Sequence, residues 1–193
     1  MGWGGGFLDY DNDGYLDLFV TNGFTSPART GDASCVGQQD LLYHNRGDGI
    51  FQDWTKRAGL DMLDPKAGRG AAFGDYDNDG DVDIFLVPNN GRATLLRNEG
   101  GNRNNWIKFT LRGTVSNRDS TGARVEILTR KGLQIREISA GSSYLSQHSL
   151  EVVFGLGNET MVERIRVGWP SGITLVRERW TANQSITLTE PRL

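Results

Sequence analysis

The 193-residue chain has one cysteine, two histidines, three methionines and five prolines. The lone Cys35 excludes an internal disulfide, and no zinc-type Cys/His spacing exists. Cys35 reads as an inert thiol, with a bridge between chains as the other option. His44 and His148 belong to no ligand cluster in the sequence, and His44 reads as a surface or half-buried residue. No stretch approaches the ~20 apolar residues that cross a bilayer, and no signal peptide is visible. No dense basic run exists, so nucleic acid is not an expected partner. No Gly-x-Ser-x-Gly elbow is present. Ser146 and His148 sit two apart without an assured third group, so they make no triad. A paired-carboxylate glycosidase would need acids that have a better use. No catalytic constellation emerges. No helical pattern exceeds one or two turns, the best being Trp54–Ala58 before Gly59.

Glycine is abundant, at 26 residues, and separates short apolar runs, the pattern of many turns and short strands. Two acidic loops dominate. The first is Asp9-Tyr10-Asp11-Asn12-Asp13-Gly14-Tyr15-Leu16-Asp17, and the second is Asp75-Tyr76-Asp77-Asn78-Asp79-Gly80-Asp81-Val82-Asp83. Each has aspartates at loop positions 1, 3, 5 and 9 and glycine at 6. Alternate side chains can turn inward, glycine permits the bend, and the position-7 carbonyl of Tyr15 or Asp81 can add an oxygen. That set suits calcium, which takes six to eight oxygens in a flexible shell. The expected ligands are Asp9, Asp11, Asp13, Tyr15 (carbonyl) and Asp17, then Asp75, Asp77, Asp79, Asp81 (carbonyl) and Asp83, for two Ca²⁺ sites. An ordinary polar turn is the competing reading. Without a cation, however, the four carboxylates would repel strongly. These eight position-1, -3, -5 and -9 aspartates leave 16 acids against 21 Lys plus Arg, and two divalent ions would carry the formal charge from −3 to +1. An EF-hand needs a glutamate at position 12 and flanking helices. Position 12 is Val20 or Leu86, each within a strand pattern, so the loops join β-strands.

The loops repeat with an offset of 66 residues: Gly2, Gly4, Phe7 and Asp9 match Gly68, Gly70, Phe73 and Asp75. Leu16, Leu18 and Val20 then alternate onto one face, as do Val82, Ile84 and Leu86. Leu41-Leu42-Tyr43-His44-Asn45 matches Leu95-Leu96-Arg97-Asn98 at an offset of 53, which places about 13 extra residues in a loop within Phe24 to Asp40. Strand-rich repeats of this size suggest propeller blades. Two cannot close a ring of four to eight. The expectation is a fragment of a longer protein, or blades that pair with another chain through unpaired strand edges. Loops so far apart are expected to bind independently.

The character changes near Asn104. Strands are expected at Trp106–Leu111, Arg124–Thr129, Leu133–Ser139, Leu150–Phe154, Val162–Trp169, Ile173–Arg177 and Ser185–Thr189. About seven short strands suggest a small antiparallel sandwich or barrel. The chain divides into residues 1–103 and 104–193 and is all-β.

With these residues in view, the first part resembles FG-GAP (VCBS-type) repeats, the calcium-loop blades of integrin α-chain propellers. The Phe-x-Asp-Tyr-Asp-Asn-Asp-Gly form and the stretch from Leu42 to Phe51 carry the likeness. The second part resembles the ASPIC/UnbV domain of the cartilage acidic protein-like family. Its matching blocks are Ser116-Asn117-Arg118 with Gly122-Ala123-Arg124-Val125, Gly141-Ser142-Ser143-Tyr144-Leu145-Ser146-Gln147, Phe154-Gly155-Leu156-Gly157 and Val167-Gly168-Trp169-Pro170-Ser171-Gly172. The resemblance implies an extracellular, cell-surface or periplasmic scaffold for recognition or adhesion, with structural calcium and a protein or carbohydrate partner. It also implies upstream repeats and an export signal, making this chain an N-terminally truncated member. The UnbV name also suggests a biosynthetic accessory protein or enzyme of an enediyne-like pathway, and the open edges suggest an assembly module.

Arg46-Gly47-Asp48 falls inside the Asn-x-Gly-Asp-Gly turn of the repeat and reads as that turn rather than as an adhesion tripeptide. Asn158 and Asn183 fit the glycosylation sequon. The five scattered tryptophans read as core or interface residues.

Overall fold

The computed structural model describes residues 1–24, 37–89 and 91–192, so Cys35 and most of the extra loop lie outside the described residues. Among the described residues there are fourteen strands and no α-helix. None of the described segments is a helix long and apolar enough to cross a membrane.

The first repeat is a four-stranded antiparallel sheet: β1 (Gly2–Leu8), β2 (Asp17–Asn22), β3 (Leu41–Asn45) and β4 (Phe51–Asp53), hydrogen-bonded in that order. The second is β5 (Gly68–Gly74), β6 (Asp83–Pro88) and β7 (Thr94–Leu96). Each acidic loop connects the first two strands of its sheet, and the registers match: Leu8 faces Asp17, and Gly74 faces Asp83. The bends use left-handed backbone at Asn12 and Asn78 (φ 54° and 63°) and at Gly14 and Gly80 (φ 98° and 97°). Asparagine and glycine reach that region most readily. Arg46 N donates to Ile50 O, so the Arg-Gly-Asp segment is the β3–β4 turn.

The two sheets stack face to face. Leu8, Phe19 and Leu42 of the first pack with Ala71, Phe73, Ile84 and Leu86 of the second, and Phe19 meets Phe73 edge-on at 6.1 Å. The alternation along β2 and β6 is as read from the sequence. The buried face of β2, however, is the one bearing Asp17, Phe19 and Thr21, while Leu18 and Val20 stay half-buried. Alternation cannot tell which face has a neighbour. The expected helix at Trp54–Ala58 is a turn closed by Ala58 N donating to Trp54 O. A 3₁₀ turn forms just after it, at Leu60–Met62, following Gly59 at φ 76°.

All seven expected C-terminal segments form strands, β9 with the expected ends and the others shifted: β8 (Asn105–Arg112), β9 (Arg124–Thr129), β10 (Gly132–Glu137), β11 (Val152–Gly157), β12 (Met161–Gly168), β13 (Thr174–Thr181) and β14 (Gln184–Thr189). They make two sheets, in orders β10-β9-β12-β13 and β11-β8-β14. The sheets share a core that includes Ile107, Phe109, Ile127, Phe154, Ile165 and Val167. One pairing departs from the antiparallel expectation. β14 runs parallel to β8, because the chain leaves β13 in one sheet and enters β14 in the other, where no hairpin dictates direction.

Glu190, just after β14, is buried and ties this domain's motif loops together. Its Oε2 accepts the backbone N–H groups of Thr114, Val115 and Ser116 at 2.8, 2.8 and 2.7 Å. Its Oε1 accepts the hydroxyls of Ser116 and Ser171 at 2.9 and 2.5 Å.

Between β10 and β11 the chain crosses the first strands of both repeats. Gly5 N donates to Ser143 Oγ at 2.9 Å, and Tyr144 stands edge-on to Trp3 at 4.9 Å. His148 stacks on Phe73 at 4.2 Å and accepts that residue's N–H on Nδ1, and Ser149 N donates to Phe73 O. A Cβ on Gly70 would stand 2.7 Å from Ser146 Oγ. Glycine in β5 therefore allows this strap to lie close. His148 is a latch between the two parts, and burial lowers its pKa.

Candidate metal centres

Position 1 shapes each loop. Asp9 Oδ1 and Oδ2 accept the N–H groups of Asp13 and Gly14, each at 3.0 Å. Asp75 does the same for Asp79 and Gly80, at 3.1 and 3.2 Å. Position 9 closes the loop onto the next strand. Asp17 accepts from Tyr10 N and Asn45 N, and Asp83 accepts from Tyr76 N and Asn98 N. The asparagine that ends each repeat motif thus anchors the position-9 aspartate through its backbone.

The carboxylates converge. Donor atoms of Asp9, Asp11 and Asp17 lie within 4.8 Å of one another, as do those of Asp75, Asp77 and Asp83, and those of Asp11, Asp13 and His44. Asp79 stands outside these groups, with its Oδ1 accepting from Asp81 N. Asp13 Oδ1 likewise accepts from Tyr15 N. Asp81, expected to offer its carbonyl, has a fully buried side chain whose Oδ2 accepts from Asn102 N at 3.3 Å. Asp11 Oδ1 and both Asp77 carboxylate oxygens are buried without a hydrogen bond. Buried carboxylate oxygens lacking partners fit a cation, and an all-carboxylate set favours a hard one.

The electrostatics agree. Burial first, then Asp13, push the Asp9 carboxyl up to about 8. Burial raises Asp17 and Asp81 each to about 7, and raises Asp11 and Asp83 as well. The raised carboxyls of these five aspartates mark a shortage of positive charge, which a divalent ion would supply.

Other side chains answer part of that need, and sequence reasoning missed them. His44 Nδ1 lies 3.1 Å from Asp17 Oδ1 and 3.7 Å from Asp11 Oδ2. Arg97 occupies the equivalent place in the second repeat, its Nε 2.8 Å from Asp77 Oδ2 but outside hydrogen-bond geometry. The repeat alignment, which places His44 and Arg97 one residue before Asn45 and Asn98, was the available signal. The C-terminal domain supplies the rest. Lys108 Nζ, buried in β8, reaches Asp75 Oδ2 and Asn78 Oδ1, each at 2.8 Å. Gly155 N in β11 donates to Asp9 Oδ2 at 3.2 Å. The position-1 aspartate of each loop is therefore held from the same three-stranded sheet.

The loops also touch each other. Asn12 Nδ2 donates to Gly80 O at 2.9 Å, and Asn98 Nδ2 donates to Tyr10 O at 2.5 Å. Asn104 Nδ2, from the junction between the parts, donates to Asp11 O at 2.8 Å. Sequence distance suggested independent sites, and the stacking of the two sheets makes them neighbours.

Two family models match this chain. Residues 9–86 match the FG-GAP-like repeat family and residues 113–192 match the ASPIC and UnbV family. The chain joins FG-GAP-like repeats to an ASPIC and UnbV domain. It is homologous to cartilage acidic protein 1. The human protein is 30% identical over 169 residues, 85% of this chain and 24% of that protein. The mouse protein is also 30% identical over 169 residues, 85% of this chain and 25% of that one. That of Xenopus tropicalis is 28% identical over 174 residues, 88% of this chain and 25% of its own length. The chain thus spans about a quarter of the length of the curated relatives it matches. The FG-GAP-like repeats carry both acidic loops, and the ASPIC and UnbV domain begins just past β8, the strand that bears Lys108.

Proposed function

We propose that this chain is a calcium-stabilised scaffold for recognition or adhesion outside the cytoplasm, with the ion in a structural role. The observation that supports it best is the set of buried carboxylate oxygens without a hydrogen bond, Asp11 Oδ1 and both of Asp77, in loops gripped by the C-terminal domain. Asp9, Asp11, Asp13 and Asp17 would hold one ion, and Asp75, Asp77, Asp79 and Asp83 the other, with the Tyr15 and Asp81 carbonyls as further donors. The bound ion supplies positive charge that relieves the carboxylate repulsion. The residues themselves bend the loop, fix the first strand pair and present position 1 to the second domain. An extracellular, cell-surface or periplasmic setting fits relatives named for cartilage. Affinities of about 10⁻⁴–10⁻³ M suffice where calcium is abundant. The partner is a protein or a carbohydrate that meets surfaces the loops hold in shape.

Calorimetric titration with calcium tests the reading. Two sites are expected, with a rise in melting temperature shared by both parts of the chain. No heat and no thermal shift at millimolar calcium would remove it.

A further inference from the structure

The two acidic loops match at seven of nine positions, but the side chains set against them differ. His44 faces the first loop and Arg97 the second, each one residue before the asparagine that closes its repeat. That asparagine fixes the place of both. Asn45 N donates to Asp17 Oδ1 at 2.8 Å and Asn45 Nδ2 to Leu16 O at 3.0 Å, and Asn98 N donates to Asp83 Oδ1 at 2.9 Å. A guanidinium has donors only, so Arg97 can neutralise Asp77 but cannot coordinate an ion. A neutral imidazole keeps one nitrogen lone pair and is the commonest metal ligand in proteins.

The His44 ring is held with Nδ1 towards the loop. It packs on Trp54 at 4.8 Å, with Tyr10 edge-on at 6.0 Å. Nδ1 stands 3.7 Å from Asp11 Oδ2. Neighbouring ligands of a tetrahedral ion with bonds of about 2.1 Å stand about 3.4 Å apart, so this pair is close to the spacing of a shared ion. One donor atom each from Asp11, Asp13 and His44 lies within 4.8 Å of the others. The His44 and Asp11 side chains are 16% and 31% exposed, open enough for an ion to enter. The simpler use of the ring is a hydrogen bond to Asp17 Oδ1 at 3.1 Å, but that alone would leave Asp11 Oδ1 buried without a partner. Among the described residues the second loop gathers only carboxylates, from Asp75, Asp77 and Asp83.

We propose that the residue before the closing asparagine selects the ion class of each loop. His44 makes the first loop a site for a borderline divalent ion of the zinc class, held by His44 Nδ1, Asp11 and Asp13, whereas Arg97 leaves the second loop to hard ions. Imidazole suits zinc-class metals, and an all-oxygen shell suits calcium. Asp11 also belongs to the Asp9, Asp11 and Asp17 group, so the two ions compete for the first loop. The inference rests on the first loop being a metal centre. It adds a ligand from outside that loop, 27 residues past Asp17.

Calorimetric titration with zinc tests this, on Cys35→Ser protein so that the thiol is no rival ligand, with a calcium titration of the same protein alongside. One zinc site is expected, and bound zinc should lower the calcium stoichiometry from two to one. NMR of the imidazole nitrogens, which needs no further variant, should show Nδ1 of His44 shifting with zinc while His148 stays in place. His44→Arg should weaken zinc by more than about 100-fold, beyond the loss of a merely supporting partner, and keep calcium at the second loop. Arg97→His should add a second zinc site. Zinc binding that leaves the His44 ring unmoved, or that survives His44→Arg, would overturn the His44 site. Arg97→His without a second zinc site would overturn selection by that position. Two calcium sites with no zinc would sink this inference and leave the calcium scaffold standing, and one zinc site with no calcium would do the reverse.

Discussion

Lys108 and Asp75 form a buried ion pair, 2.8 Å apart, that joins the C-terminal sheet to the second acidic loop. Their side chains are 2% and 0% exposed, and Asn78 Oδ1 shares the ammonium. Removing one member of such a pair leaves a buried charge unanswered, a loss of about 3–5 kcal/mol. Lys108→Met should therefore destabilise the calcium-free protein by about that amount. In saturating calcium the cost should shrink, since the ion also neutralises the loop. Urea unfolding with and without calcium reads both. An equal loss in the two conditions would separate Lys108 from the metal site.

The contact from Asn12 to the Gly80 carbonyl makes the loops one unit. Asp13→Ala should weaken calcium at the second loop as well as at the first. A coupling of about 1 kcal/mol, roughly fivefold in affinity, is the expected scale. Asn12→Ala should weaken both sites with every predicted ligand intact. Calorimetry on the two variants decides the matter, and an unchanged second site in both would restore independence.

Two glycines set how closely the domains approach. A Cβ on Gly155 would stand 2.3 Å from Asp9 Oδ2 and 2.4 Å from the Asn12 backbone. On Gly80 it would meet the Trp106 ring at 1.9 Å, at a backbone φ of +97°. Gly155→Ala should push the first loop off β11, and Gly80→Ala the second off β8. Each should cost about 1–3 kcal/mol, the usual scale of overpacking, and each should lower calcium affinity mainly at its own loop. Thermal melts with calcium titration check this; Gly168→Ala, where a Cβ meets nothing within 4 Å, is the control.

The legibility of this chain followed from how local each signal was. The acidic loops, the strands after them and the seven C-terminal strands are set by neighbouring residues, and they stand in the fold close to where the pattern put them. Lys108 shows what was hidden. Within Trp106-Ile107-Lys108-Phe109 the alternation sends Lys108 away from the core side of β8, the position of a solvated lysine. Only the docking of the second loop on that side buries it. Phe19 was overlooked for the same reason, since the face it shares became core through a sheet encoded some fifty residues later. Gly155 belonged to a recognised block, but its use as a donor to Asp9 required the tertiary meeting of β11 and the first loop.

Glu190 offers a pH test away from the acidic loops. Burial pushes its carboxyl up, but the Ser171 hydroxyl and the backbone N–H groups of Ser116, Thr114 and Val115 outweigh that and hold it at about 2, below its ordinary 4.5. A depressed carboxyl stabilises the fold fully above its unfolded value and loses that contribution as pH falls through the folded one. Stability of the wild type should thus decline as pH drops from about 4.5 towards about 2. Glu190→Gln keeps the shape but aims an amide N–H₂ at donors. It should be less stable than wild type at neutral pH, with a flatter acid limb, and the two curves should converge near pH 2. Urea unfolding at constant calcium, from neutral pH down, measures both slopes. Parallel acid limbs would show that another carboxylate governs acid unfolding and that the Ser116 and Ser171 loops do not depend on the Glu190 charge.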